Sequence, residues 1–438
     1  MKTVSLTAGI IALTFAYSAH AAPLSAEQRL GRRLYKDTDL SKNRNQSCES
    51  CHGLSRVRIG PGDRLPSPGF VDPDNVQSNT PTSNGSNPAL FGGLNAPTAG
   101  YAAFSPRFFW NAEEGLFMGG QFWNGRAATL AEQAKGPFLN PVEMGMPSKW
   151  SVVSRLKEDQ AYVNRFRRIY DIDLDAIPSN CNAPASATPP PGVFAAYDAM
   201  ANAIAEFEKS KVFNRFNSKF DFVLAGVTTY TPQEALGEQL FNGAAQCNLC
   251  HPATPGLSPD GTMLPPVFTD FSYDNLGAGR NTLIPGNPAP DVGLAGNPVV
   301  QAYGAGTVAG EMGKHKVSSL RNLAITGPYL HNGLFTSLDQ VVRFYNRRDL
   351  ALAGTNGMYT CTDNTDPNFG TTCFPAPEVP DNVNTDELGD LGLSDAEEDA
   401  LIAFLLTLTD GYDVWGMDPN VPPGTPSPFA NTALPPSP

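Results

Sequence analysis

Two short stretches constrain this chain more than anything else in it: "CESCH", Cys48 to His52, and "CNLCH", Cys247 to His251, set 199 positions apart. On a helical turn, positions i, i+3 and i+4 project from one face. Two thiols and an imidazole placed this way suit thioether attachment of a porphyrin, with the histidine reaching its iron from below. A zinc ribbon brings its second cysteine pair within roughly 15–20 residues, and a redox dithiol has no need of the histidine that follows. The spacing therefore predicts two covalently bound haem c groups, held by Cys48, Cys51, Cys247 and Cys250, with His52 and His251 as iron ligands.

Each motif has the same prelude. Ser25 and Gln28 form a capping box that opens a helix through "EQRLGRRLY". Before the second motif, Thr231-Pro232-Gln233-Glu234 opens "ALGEQLF" in the same way. A duplicated domain is the natural reading of such a repeat. Apolar periodicity predicts further helices over 151–170, 195–212, 337–348 and 393–408. Strand-like alternation is scarce, and the 41 glycines and 40 prolines gather in connections at 53–100, 180–192, 252–310 and 351–392. The expected fold is mainly α: two cytochrome c-like haem domains with long irregular loops. We place the domains at 22–228 and 229–411, followed by a Pro-rich tail at 412–438 that is disordered or draped.

The first 21 residues, a lysine, an apolar run and Ala19-His20-Ala21, read as a secretory signal, so the mature protein is expected in the periplasm or outside the cell. No later stretch reaches the roughly 20 apolar residues of a membrane span. A formal charge of −13 argues against nucleic acid as a partner and permits one with a basic docking face. Of seven cysteines, four belong to the haem motifs. Cys361 and Cys373 can pair in an oxidising compartment, and Cys181 has no assigned role. Only five histidines exist, and none lies between His52 and His251. The first haem therefore keeps an open iron position unless Met118, Met144 or Met146 fills it.

Between the motifs lies "FWNGRAATLAEQAKGPFLNPVEMG", residues 122–145, and after them "SLRNLAITGPYLHNGLFTSLDQVVRFYN", residues 319–346. With both haem motifs, these segments resemble the bacterial di-haem cytochrome c peroxidase and MauG family over most of residues 25–410. The family places a tryptophan between the haems, then glutamine, proline and glutamate 10, 14 and 20 residues on, and Trp123, Gln133, Pro137 and Glu143 match in type and spacing. The resemblance implies that Glu143 is the acid–base group, that Gln133 polarises the pocket and that Trp123 bridges electron flow. It also implies a calcium ion between the domains, held by Asn95 and by the backbone at Thr326 and Pro328, ligands of the neutral oxygen kind that calcium accepts.

The second haem's far ligand distinguishes the branches of the family. Peroxidase members carry methionine in the helix after the "PYxHxG" motif, and the segment "VVRFYN" offers Tyr345 instead, a departure toward MauG. Met312, His315, Met358 and His331 are the alternatives, although His331 matches the motif histidine that lies near the second haem without binding its iron. The resemblance implies an oxidoreductase that activates hydrogen peroxide at the His52 haem and draws electrons through the His251 haem. Its donor is then a small cytochrome c or cupredoxin, or, in a MauG-like enzyme, a residue of a partner protein. The competing expectation is a plain di-haem electron carrier.

Overall fold

The computed structural model describes residues 23–55, 68–258, 260–286 and 288–433, so the secretory signal lies outside the described residues. The helix Ala26–Tyr35 starts at a reciprocal box in which Gln28 N donates to Ser25 Oγ and Ser25 N to Gln28 Oε1, both at 3.0 Å. It packs on the helix Val193–Glu208 so tightly that a Cβ at Gly31 would sit 1.8 Å from the Ala203 carbonyl oxygen and 2.8 Å from Phe207 Cβ. The second half repeats the contact. Helix Pro232–Phe241 lies on Asp395–Leu406, where a Cβ at Gly237 would be 2.0 Å from the Ala400 oxygen and 2.8 Å from Phe404 Cβ. The "LG" of each prelude is therefore the point where two helix backbones meet, and no other residue fits there.

Around these crossings sit two cores. One is built from buried residues between Leu30 and Phe213, the other from residues between Phe220 and Leu408. A third cluster, from Ala278 to Leu388, lies beneath the long loops of the second half and includes Phe335, Phe344 and Phe374. Strands are few and short, and form four two-stranded sheets among the described residues. The disulfide Cys361–Cys373 ties the parallel pair Tyr359–Cys361 and Cys373–Pro375.

Several elements depart from the sequence reading. The single helix expected over 151–170 is two, Lys149–Leu156 and Gln160–Tyr170. Asp159 is extended and accepts from Ala161 N at 2.8 Å, so a new N-cap interrupts an apolar period that runs on regardless. The helix expected at 337–348 continues to Ala353 and stops where Gly354 turns left-handed. The second haem motif is a 3₁₀ turn, Cys247–Leu249, whereas the first is a short α-helix, Cys48–Cys51. Between 412 and 433 the tail is draped: Val421 and Thr432 are buried, and Lys211 Nζ donates to the Thr432 carbonyl at 2.8 Å. No helix among the described residues is long and apolar enough to cross a membrane.

Candidate functional site

The two motifs present the same local chemistry. At the first, His52 N donates to the Cys48 carbonyl at 2.8 Å, and its Nδ1 donates to the Phe70 carbonyl at 3.3 Å. At the second, His251 N donates to Cys247 O at 2.9 Å and Nδ1 to Phe268 O at 2.8 Å. A carbonyl only accepts, so each Nδ1 holds the proton and each Nε2 keeps its lone pair for a metal. Burial favours the same neutral form, lowering the pKa of His52 and bringing that of His251 down to about 4. It also pushes the Cys51 and Cys247 thiols up to about 12.

The second motif opens onto a cavity of about 200 Å³ that continues to solvent at its mouth. Leu320, Val342, Leu401 and Leu405 are among the apolar walls, while Trp123, His315, Lys316 and His331 form a polar end. A flat macrocycle with two carboxylate arms matches that division. Lys316 stands half-buried at that end, where its Nζ donates to Ser105 Oγ at 2.6 Å and to the Gly120 carbonyl, and desolvation brings its pKa down to about 7. Haem, when bound, supplies an iron centre that changes oxidation state. Cys247, Cys250 and His251 would hold it here, as Cys48, Cys51 and His52 would at the first motif.

Tyr345 lines the same cavity from the helix Leu338–Ala353. Its hydroxyl has no hydrogen-bond partner among the described residues, and burial first, then the nearby Cys250 and Cys247, pushes its pKa up. Of the alternatives, His315 has both ring nitrogens engaged, Nδ1 with Gly313 O and Nε2 with Asp291 Oδ1, each at 3.0 Å. His331 Nε2 faces Glu378 Oε1 at 2.6 Å. Met312 and Met358 are not lining residues, and Met358 belongs to the core cluster beneath the loops.

On the first side, Thr129 caps the helix Leu130–Leu139, and Gln133 and Pro137 fall four apart on one face. The chain then doubles back, with Met144 N donating to Pro137 O at 3.2 Å and Met146 N to Phe138 O at 2.8 Å. That turn returns Glu143, whose Oε1 accepts from Asn140 Nδ2 at 2.7 Å. Burial raises its pKa, with Asn140 and the charge of Arg126 opposing, and its own charge acts on the Cys48 and Cys51 thiols. Glu143 therefore lies within electrostatic reach of the first motif. Met144 and Met146 pack into the first core, and Met118 sits on a hairpin where its sulfur accepts from Asn111 Nδ2 at 3.3 Å.

Trp123 lies at the wall of the second cavity, 6.4 Å edge-to-face from the His331 ring. Its Nε1 donates to the Asn95 carbonyl at 2.8 Å. Asn95 N in turn donates to His331 O at 2.8 Å, and Asn95 Nδ2 to Pro328 O at 2.6 Å, while Thr326 N donates to Leu323 O at 3.3 Å. Asn95 is thus a buried hub joining Trp123 to the segment 326–331. Sequence reasoning missed the stack beside it, in which His315 lies 3.6 Å over His331, each ring paired with a carboxylate. Asp291 and Glu378 come from loops with no periodic signal, so nothing in the sequence pairs them with histidine.

Comparison with known proteins agrees with this geometry. A family model described as di-haem cytochrome c peroxidase matches residues 25–229. The methylamine utilization protein MauG of Paracoccus denitrificans is 35% identical over 390 residues, covering 87% of this chain and 88% of that protein. The cytochrome c peroxidase Ccp of Escherichia coli is 30% identical over 321 residues, 73% of this chain, which spans about half (52%) of that longer relative. The crystal structure of the diheme peroxidase BthA from Burkholderia thailandensis superposes with a TM-score of 0.67 at 25% identity, covering 95% of this chain and 92% of that one. Two haem-binding motifs on a duplicated helical frame, with a 35% identical relative along nearly its whole length, make this chain a member of the di-haem cytochrome c peroxidase and MauG family of oxidoreductases.

Proposed function

We propose that the protein reduces hydrogen peroxide at the His52 site and receives electrons through the His251 site. The observation that carries this reading is Glu143, a half-buried carboxyl held by Asn140 within electrostatic reach of Cys48 and Cys51. A plain electron carrier has no use for such a group. Glu143 accepts a proton from one peroxide oxygen and returns it to the other, which leaves as water. Gln133, on the helix face one turn before Pro137, contributes an amide dipole to the same pocket. Trp123, at the wall of the second cavity, would carry electrons between the sites, and its hydrogen bond to Asn95 fixes the indole plane. Peroxide and a small cytochrome c or cupredoxin are the partners of this reaction. The disulfide Cys361–Cys373 suits an oxidising compartment and hence the periplasm.

Tyr345 favours the MauG-like version, in which a residue of a partner protein is oxidised. As a phenolate it stabilises ferric and higher-valent iron, whereas methionine favours ferrous iron. A bound metal supplies what burial withholds, because coordination removes the phenolic proton. Replacing Tyr345 by Met should change the resting optical spectrum and raise the reduction potential of one haem alone. Potentiometric titration giving two unaltered potentials would remove Tyr345 from the coordination sphere.

Calcium completes the proposal. Turning the Asn95 amide over would set its Oδ1 against the Pro328 carbonyl at the 2.6 Å now spanned by a hydrogen bond. Asn95 Oδ1 and the Thr326 and Pro328 carbonyls would then be the neutral oxygens that hold the ion. At calcium a hundredfold above its Kd, the native state would gain about 2.7 kcal/mol. Asn95→Ala should abolish that calcium-dependent rise in Tm while both haems remain attached. Elemental analysis finding no calcium in wild-type protein purified with it would end this part of the reading.

A further inference from the structure

A donor protein has to dock where the second site approaches the surface, and one face is built for that. It belongs to the hairpin Phe109–Asn111 and Leu116–Met118, where Trp110 pairs across the strands with Phe117. Trp110 is 39% exposed, and beside it Val299 and Tyr303, one helical turn apart, are 50% and 56% exposed. The Trp110 and Tyr303 ring centroids lie 6.5 Å apart, and Phe117 touches both, at 4.8 and 5.3 Å. Single exposed apolar side chains are ordinary, but a contiguous Trp–Tyr–Val surface marks an interface.

Behind this face the packing runs inward without a gap. Phe117 stacks on Phe108 at 5.4 Å, and Phe108 meets Tyr273 edge-on at 6.0 Å. Tyr273 is buried and pairs in register with Lys316, while its neighbour Asp274 and Lys316 both line the cavity of His251. At the hairpin tip, Glu113 and Glu114 are exposed and held by Asn111 Oδ1, which accepts from their amides at 3.1 and 3.4 Å. Together with a net charge of −13, they give the rim the sign that steers a basic partner.

We propose that the face formed by Trp110, Val299 and Tyr303, rimmed by Glu113 and Glu114, is the docking surface for a small basic electron-transfer protein. The inference rests on the peroxidase reading. Each docked donor gives up one electron and leaves oxidised. Two donors and two protons from solvent convert one peroxide into two waters.

The test uses the holoprotein with a reduced basic cytochrome c of mitochondrial type as donor. Tyr303→Ala and Trp110→Ala should each raise the KM for that cytochrome at least fivefold, and the double reversal Glu113→Lys, Glu114→Lys should do the same at low salt. Peroxide turnover with the small-molecule donor ABTS should stay as in wild type. Tyr303 and the two glutamates are exposed, so those variants keep the test intact even where Trp110→Ala unfolds the hairpin. An unchanged KM in all of them overturns the docking face. So does a sedimentation result in which the wild type dimerises and Tyr303→Ala does not, since the face then belongs to a second copy. A wild type that turns over no peroxide with either donor defeats the peroxidase reading instead. Calorimetry with the redox-inert zinc-porphyrin cytochrome then decides docking separately: a fivefold weaker affinity in Tyr303→Ala supports it, and an equal affinity overturns it.

Discussion

Glu143→Gln should leave both haems attached and slow the reaction with peroxide by about 10²–10⁴-fold, the usual contribution of a positioned acid–base group. That is about 3–5 kcal/mol of barrier. Glutamine keeps the shape and the hydrogen bond to Asn140 but can neither take up the peroxide proton nor return it. The pH dependence follows from the direction of the shift. Burial raises the Glu143 pKa, and the working form is the carboxylate that accepts the first proton, so the rate should fall as pH drops through that raised value. Removing the opposing charge with Arg126→Gln should move the inflection to higher pH. Stopped-flow mixing with peroxide across pH measures both. A Glu143→Gln protein as fast as wild type would take this carboxyl out of the mechanism.

The second large effect concerns stability. Arg321 is fully buried, with Nη1 2.7 Å from Asp221 Oδ2 and Nη2 2.7 Å from the Pro266 carbonyl. Four rings enclose the guanidinium: Phe216 at 4.9 Å, Tyr101 and Phe268 at 5.4 Å, and Phe220 at 5.6 Å. Nearby, Asp410 accepts from Tyr101 Oη at 3.0 Å and from Asn322 Nδ2 at 2.9 Å, so the network joins the first half of the chain to the second. Arg321→Met would leave Asp221 buried without its cation and take an opposing charge away from Asp410, whose pKa burial already raises. Breaking a buried pair from one side costs about 3–5 kcal/mol. Arg321→Lys should recover only part, because an ammonium cannot reproduce the planar fork. Denaturant unfolding of the holoprotein checks this. A loss below about 1 kcal/mol for Arg321→Met would mean that solvent or a shifted side chain compensates the charge.

Much of the candidate site is legible before any fold is known, because its signals are local. A haem motif occupies five consecutive residues, a capping box four, and the Trp123, Gln133, Pro137 and Glu143 set lies within one segment of 21 positions. The helix break at Asp159 escapes the same reading. Apolar periodicity continues through it, and only the side chain's bond to Ala161 N shows that a second helix begins there. The Pro-rich tail also escapes it in part, since composition does not distinguish a strand of chain draped over Lys211 from one in solvent.

The sequence by itself determined that two haem motifs would follow two similar helical preludes, whereas the close helix contact at the glycine of each Leu-Gly pair was seen only in the fold. Motif and prelude depend on spacing and helical period, which neighbouring residues specify. Only the tertiary structure decided that Asn95 would join Trp123 to Pro328, that His315 would stack on His331, and that Arg321 would be closed in by rings from positions 101 to 268. Each of these brings together groups on segments far apart in the chain, without regular period. Their meeting is set by how the two halves pack, a property of the whole fold that no window of residues contains.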